Sequence, residues 1–327
     1  MSPKKTLVTQ ARDLLYEHGQ GGLDKAREVM LQEKIPYEPL QEAVKYFMAS
    51  WEDVLHPALL TLACEAVGGK AENTVKVGAA LVLLAGGADL HDDVIDGSLI
   101  KDSKSTVFGK FGKDLTILAG DALLVKGLYF LHEACVPFSK EQRELILQLI
   151  KQAFFRISSV EAKEASLRGR TDSADEFLEV IKTKSAITEA TMKIGAIIGK
   201  GTSEEIETLG NYGKTLSVLF ALRDEIIDIF EKDELLNRFK NECLPLPVLL
   251  TFKNPKKAKK IIELLSVEPI TETEVESLLD LVIDSKETSV VKREMSVTVK
   301  EEEQKLLLLK LHTSDFVLLL KSMLEDL

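Results

Sequence analysis

The chain has one tryptophan, nine prolines and three cysteines in 327 residues. Cys64, Cys135 and Cys243 stand far apart among apolar neighbours. That spacing excludes a zinc knuckle or a disulfide framework and predicts reduced core thiols in a cytoplasmic protein. There is no Gly/Ser/Pro-rich linker and no low-complexity block, so a single domain over 1–327 is expected. Positive charge is outnumbered, with 42 Lys and Arg against 53 Asp and Glu. A net charge of −11 excludes nonspecific binding to nucleic acid or to an anionic membrane. Long apolar runs are missing: the stretch Val77 to Leu90 is interrupted by Gly86, Gly87 and Asp89, so no transmembrane span is expected. The basic start Met1-Ser2-Pro3-Lys4-Lys5 is followed by no apolar h-region, and no signal peptide is expected. Any polyanionic ligand must be received by metal ions and a few local cations.

What the chain does have is helical periodicity almost throughout. Thr6 to His18 is amphipathic, and Gly19-Gln20-Gly21-Gly22 is expected to end it. Glu72 to Asp93 reads as a long helix, apolar on most faces and so central to the core. Gly97 to Lys104 reads as a polar loop. Lys140 to Glu164 and Glu204 to Asp228 are further long helices. Val290-Val291 and Ser296-Val297-Thr298-Val299 are β-prone, but charges flank both. No alternating strand pattern is evident, which leaves an all-α bundle of roughly a dozen helices.

Two acidic clusters stand out. His91-Asp92-Asp93-Val94-Ile95-Asp96 places three carboxylates at i, i+1 and i+4, on roughly one helical face. Asp224-Glu225-Ile226-Ile227-Asp228 repeats the layout: two acids, two apolar residues, one acid. Each closes a long apolar helix. Crowded carboxylates repel unless they face water or hold cations, and hard divalent cations such as Mg2+ take carboxylate oxygens and substrate phosphates. Facing clusters in a bundle could hold two or three Mg2+ ions bridging a diphosphate.

With these motifs in place, the chain resembles the trans-isoprenyl diphosphate synthases, or polyprenyl synthetases, from about Pro57 to Pro247. His91 to Asp96 looks like the family's first aspartate-rich motif. Thr106-Val107 and Gly120-Asp121-Ala122-Leu123-Leu124 resemble the segments that follow it. Lys184-Ser185 with Ile194-Gly195-Ala196 is similar to the Lys-Thr helix. Phe220-Ala221 and Asp224 to Asp228 look like the second motif, with Glu225 for one Asp, and Leu246-Pro247 is similar to the close of the next. The resemblance implies a large single-domain bundle of the isoprenoid synthase type, with helices around a central apolar cavity. It implies a polyprenyl diphosphate synthase that adds isopentenyl diphosphate to an allylic prenyl diphosphate. The metal ligands would be Asp92, Asp93, Asp96, Asp224, Glu225 and Asp228, with Lys101, Lys104, Lys184 and His56 on the substrate. Asp92, Asp93, Asp96 and Lys184 would carry the chemistry.

The sequence also departs from that pattern. Lys101 stands for the first Arg of a pair and keeps the charge without the bidentate geometry. On the isopentenyl diphosphate side, Asp53 stands for a Lys, His56 for an Arg, Leu84 for a His and Asp102 for the second Arg. An acid in a diphosphate pocket repels the ligand. Ala221 replaces a Gln, and Glu242-Cys243 replaces a Gly-Lys. Lys104, Lys240 or a partner chain would have to supply the missing cations. Binding of isopentenyl diphosphate is therefore doubtful, and two alternatives stay open. One is a non-catalytic or half-catalytic subunit of a hetero-oligomeric synthase. The other is a class I terpenoid enzyme that acts on an allylic diphosphate without isopentenyl diphosphate. The resemblance further implies a homodimer, or a heterodimer with a homologous synthase. Product length in the family is set one turn before the first motif. Gly87 and Ala88 lie there, small residues that point to a long product or merely to close helix packing. Asp89 is expected to pair with a lysine.

Overall fold

The structure is a computed structural model and describes residues 5–101, 104–230, 232–266, 272–283, 285–307 and 313–325. Sixteen α-helices occur among the described residues. In chain order they are α1 (Leu7–Leu31), α2 (Glu38–Ser50), α3 (Leu55–Ala66), α4 (Val75–Asp96), α5 (Val107–Phe111), α6 (Lys113–Ala134), α7 (Lys140–Ala165) and α8 (Ala174–Lys184). There follow α9 (Ala186–Ile198), α10 (Ser203–Ile227), α11 (Lys232–Asn241), α12 (Leu246–Thr251), α13 (Pro255–Leu265), α14 (Glu272–Val282), α15 (Lys286–Leu307) and α16 (Ser314–Ser322). The expected all-α class holds. The expected polar loop after α4 contains a short antiparallel pair, β1 (Ile100–Lys101) and β2 (Lys104–Ser105).

Packing divides the chain into two compact units. The first holds Thr9–Ala153 and Ile187–Gly213. Its core joins Val77, Leu83 and Leu90 of α4 to Leu123 and Leu131 of α6 and Phe47 of α2. The second holds Met1–Val8, Phe154–Ala186 and Lys214–Leu327. Its core gathers Phe177 and Ile181 of α8, Leu246 and Leu249 of α12, and Leu278 and Val282 of α14.

One local expectation is corrected. Helix α1 does not stop at Gly19–Gly22 but runs on to Leu31. A Cβ on Gly19 would come within 2.2 Å of the Val54 carbonyl oxygen, and one on Gly22 within 2.6 Å of Pro57. These glycines admit the start of α3 against α1, and this contact outweighs their cost of about 1 kcal/mol each in helix propensity. The β-prone valines near residue 290, which the sequence leaves ambiguous, are helical. Val291, Met295, Val299, Glu302 and Leu306 of α15 form a buried stripe at the spacing of one helical face.

Helix α6 is long and apolar enough to cross a membrane by length and composition. Its buried residues Ala119, Leu123 and Leu131 belong to the core of the first unit.

Candidate active site

The first acidic cluster forms the last turns of α4, where Gly97 adopts φ +71° and ends the helix. The chain then turns back through β1 and β2. Thr106 ties this return down. Its hydroxyl donates to the Ser98 carbonyl at 2.7 Å and accepts from the Gly109 N–H at 3.0 Å, capping α5. The turn brings Lys101 over the cluster. Its ammonium lies 2.7 Å from Asp93 Oδ1 and 3.5 Å from Asp89 Oδ1. Asp89 pairs with a lysine, as expected. Burial pushes the Asp89 carboxyl up to about 6 against the pull of Lys101, with Asp93 and Asp92 adding repulsion. Burial alone would lower the Lys101 ammonium, but Asp89 and Asp93 outweigh it and hold it above the ordinary lysine value. Asp93 is buried, whereas Asp92 and Asp96 are half-buried.

His91 locks α4 to α6. Its Nε2 lies 3.2 Å from the Ile117 carbonyl oxygen and 3.3 Å from Asp121 Oδ1. Gly120 makes room for this ring, since a Cβ there would meet His91 Cδ2 at 2.5 Å. The Gly120-Asp121 pair thus has a visible task beside the first cluster. Gly87 sits in the same seam, where a Cβ would meet Leu124 at 2.7 Å and the Gly120 oxygen at 2.9 Å. Ala88, by contrast, is exposed.

The second cluster ends α10. Asp224 is exposed and Asp228 half-buried, but Glu225 is buried and fully engaged. Arg238 of α11 is 5% exposed and reaches into this cluster. Its Nη2 donates to Glu225 Oε1 at 2.9 Å and Oε2 at 3.1 Å, and its Nη1 donates to Asp228 Oδ2 at 2.7 Å. Its Nε donates to the Cys243 carbonyl at 3.0 Å. Glu225 Oε2 also accepts the Leu246 N–H at 2.6 Å. Burial works against the arginine's charge, but Glu225 and Asp228 outweigh it and raise the pKa further. Sequence reading passed over Arg238. The available signal was a lone arginine in the charged stretch between the second cluster and Leu246-Pro247, suited to forked pairing with carboxylates.

The remaining residues differ in their surroundings. Lys184 ends α8 and pairs with Glu161 at 3.2 Å and with Glu164, both on α7. Lys104 is exposed on β2. Asp102 and the Lys240 side chain lie outside the described residues. Asp53 and His56 stand where the resemblance calls for cations, and they bind each other: His56 Nδ1 lies 2.8 Å from Asp53 Oδ2. Asp53 Oδ1 also accepts the His56 backbone N–H at 3.2 Å, at the start of α3. Leu84 is buried in the core.

Burial alone would raise the Asp53 carboxyl and lower the His56 imidazole. Their mutual attraction and hydrogen bonding win, leaving Asp53 below and His56 above the ordinary values. The stability His56 contributes is therefore fully present below its unfolded value of 6.5 and is lost as pH rises through its higher folded value. The stability Asp53 contributes is present above 3.8 and is lost as pH falls through its lower folded value. Urea midpoints should fall as pH climbs from 6.5 into the alkaline range. His56→Gln should flatten that part of the profile, and an unchanged slope would show that the pair carries no such linkage.

Carboxylate oxygens suit Mg2+, yet the six acids of the two clusters are not equally open to it. Asp93 and Glu225 are buried and already face cations. Asp92, Asp96, Asp224 and Asp228 fit the role better by exposure. Among the described residues, no three His, Cys, Asp or Glu side chains already converge as a metal site.

The sequence profile of the polyprenyl synthetase family matches residues 37–282. A short chain isoprenyl diphosphate synthase of Methanothermobacter thermautotrophicus is 27% identical over 234 residues, 71% of this chain and 70% of the relative. Geranylgeranyl pyrophosphate synthase 11 of Arabidopsis thaliana is 32% identical over 215 residues, and the match spans 62% of this chain and 59% of that relative. Among solved structures, geranylgeranyl pyrophosphate synthetase from Pyrococcus horikoshii superposes with TM-score 0.84 at 22% identity, covering 97% of this chain and 100% of the other. A polyprenyl synthase from Caulobacter crescentus, complexed with calcium and isoprenyl diphosphate, superposes with TM-score 0.78 at 20% identity, covering 98% of each chain. At these identities the structures share the fold, and the profile match over most of the sequence shows that the chain belongs to the polyprenyl synthetase family of trans-prenyltransferases.

Proposed function

We propose that the chain is a polyprenyl diphosphate synthase that elongates an allylic diphosphate with isopentenyl diphosphate. The observation that carries this reading is the pair of equally spaced acidic clusters, each closing a long apolar helix in a chain of this family. On this reading Asp92 and Asp96 of the first cluster and Asp224 and Asp228 of the second would each be ligands for Mg2+, which would supply charge neutralisation for a departing diphosphate. Lys101 and Lys184 leave their carboxylate partners to meet the diphosphate oxygens. The diphosphate departs with the electron pair of its C–O bond. The isopentenyl double bond attacks the allylic cation, and loss of a proton leaves a chain one isoprene unit longer. An apolar helical surround keeps water from the cation.

Ala88 is the residue through which product length is set, because a side chain at Gly87 meets Leu124 at once. Its small size leaves room for a long product. The protein works in the cytoplasm as a dimer, with Val125, Leu128 and Tyr129 exposed on α6 as the apolar surface available to a second copy.

The half-buried Asp53–His56 pair favours a second reading. Two residues standing at cation positions are spent on each other, as in a half-catalytic subunit whose homologous partner binds isopentenyl diphosphate. Incubation of the pure protein with Mg2+ and farnesyl or geranylgeranyl diphosphate, with and without isopentenyl diphosphate, separates the two. Elongation is expected. Turnover restored only by a second synthase would establish the subunit reading. Diphosphate release without elongation would instead establish a class I reaction independent of isopentenyl diphosphate.

A further inference from the structure

We propose that Arg238 is a built-in cation of the second acidic cluster, taking the place of a divalent ion at Glu225 and leaving only Asp224 and Asp228 of that cluster to bind metal. This rests on the reading of the cluster as a diphosphate-metal site, and its test is independent of prenyl transfer.

The geometry is specific. A metal ligand needs an oxygen lone pair directed at the ion. Glu225 Oε1 receives Arg238 Nη2, and Oε2 receives both that nitrogen and the Leu246 N–H. Three of the carboxylate's roughly four lone-pair positions are thus taken inside the protein, and the group is buried. Nor can the cation be withdrawn cheaply. Arg238 keeps its proton at any accessible pH, is 5% exposed, and is anchored by the Cys243 carbonyl as well as by both acids. Moving it out would strand a buried carboxylate and a main-chain carbonyl together. Asp228 differs, since Arg238 takes only its Oδ2. Asp224 is exposed, and no contact to Arg238 is seen.

The arginine has a second consequence. Glu225 is the shared acceptor for Arg238 and for the first N–H of α12, so the pair joins the end of α10 to the start of α12. Glu225 is then a positioning residue, and the glutamate that departs from the family's aspartate has the extra methylene needed to reach both donors.

Mn2+ binding tests this. Free Mn2+ is followed by electron paramagnetic resonance in an Asp92→Asn, Asp96→Asn background, so that the second cluster gives the signal. Glu225→Gln should bind Mn2+ within about twofold of its parent, whereas Asp224→Asn should lose at least about tenfold, the usual scale for a ligand or its support. Arg238→Gln should bind Mn2+ more tightly than its parent, because a fixed positive charge has been removed. If Arg238→Gln does not fold by circular dichroism, Glu225→Gln decides alone. A loss in Glu225→Gln as large as that in Asp224→Asn overturns the proposal, as does a parent that binds no Mn2+. Elongation by the wild-type enzyme can succeed or fail in either case, which keeps the two readings apart.

Discussion

Asp92→Asn is expected to lower kcat/KM for elongation by roughly 100-fold or more, the scale set by removing one group that stabilises developing charge. Asp92 is singled out from its neighbours by where it sits. Asp93 is buried against Lys101, and Asp89 shares that same cation. Asp92 is half-buried at the end of α4. The substitution keeps the shape of the side chain and removes its charge, so the thermal midpoint should move little while the dependence on Mg2+ shifts to higher concentration. Steady-state assays across a Mg2+ series, beside a melting curve, make the measurement. Activity retained within about tenfold would place the metal on other carboxylates.

The second large effect is on stability. Arg238→Ala should destabilise the protein by about 3–5 kcal/mol, the cost of leaving a buried charge without its partner. Glu225 would keep the Leu246 N–H and lose the cation it is paired with. Arg238→Lys should fall in between, since an ammonium carries the charge but cannot reach Glu225, Asp228 and the Cys243 carbonyl in one fork. The pair Arg238→Met with Glu225→Leu should recover part of the loss, because the buried charge of Glu225 is removed with its partner while the Leu246 N–H and the Cys243 carbonyl lose theirs. Urea unfolding of the single and double variants reads these differences. A loss under about 1 kcal/mol for Arg238→Ala would mean that the pair behaves like a surface ion pair.

Much of the fold was legible because it is written in nearest-neighbour periodicity. The apolar faces of α4 and α10 and the acidic clusters at their ends follow directly from residue spacing. What escaped depends on partners distant along the chain. Gly19 looks like a helix terminator until Val54 is set beside it. The pairing of Arg238 with Glu225 has no period to announce it, and neither has that of Lys184 with Glu161. Asp53 and His56 are the intermediate case. They lie three residues apart at a helix start, a spacing at which side chains of one turn meet. In the family pattern they are two lost cations, and in the fold they are one half-buried ion pair.

The seam between α4 and α6 limits how this protein can change. Gly87 faces Leu124 and Gly120 faces the His91 ring, each with no room for a methyl group, while Gly86 on the same helix closes against Phe47 of α2 and Leu123 of α6. Any heavier residue at these places acts as a wedge between two helices. It would tilt α4, and with it the aspartates at its end, before it altered the bore of any channel. If product length is set here as proposed, a change at this seam would also move the aspartates of α4, whereas exposed Ala88 could carry a larger side chain without forcing the helices apart.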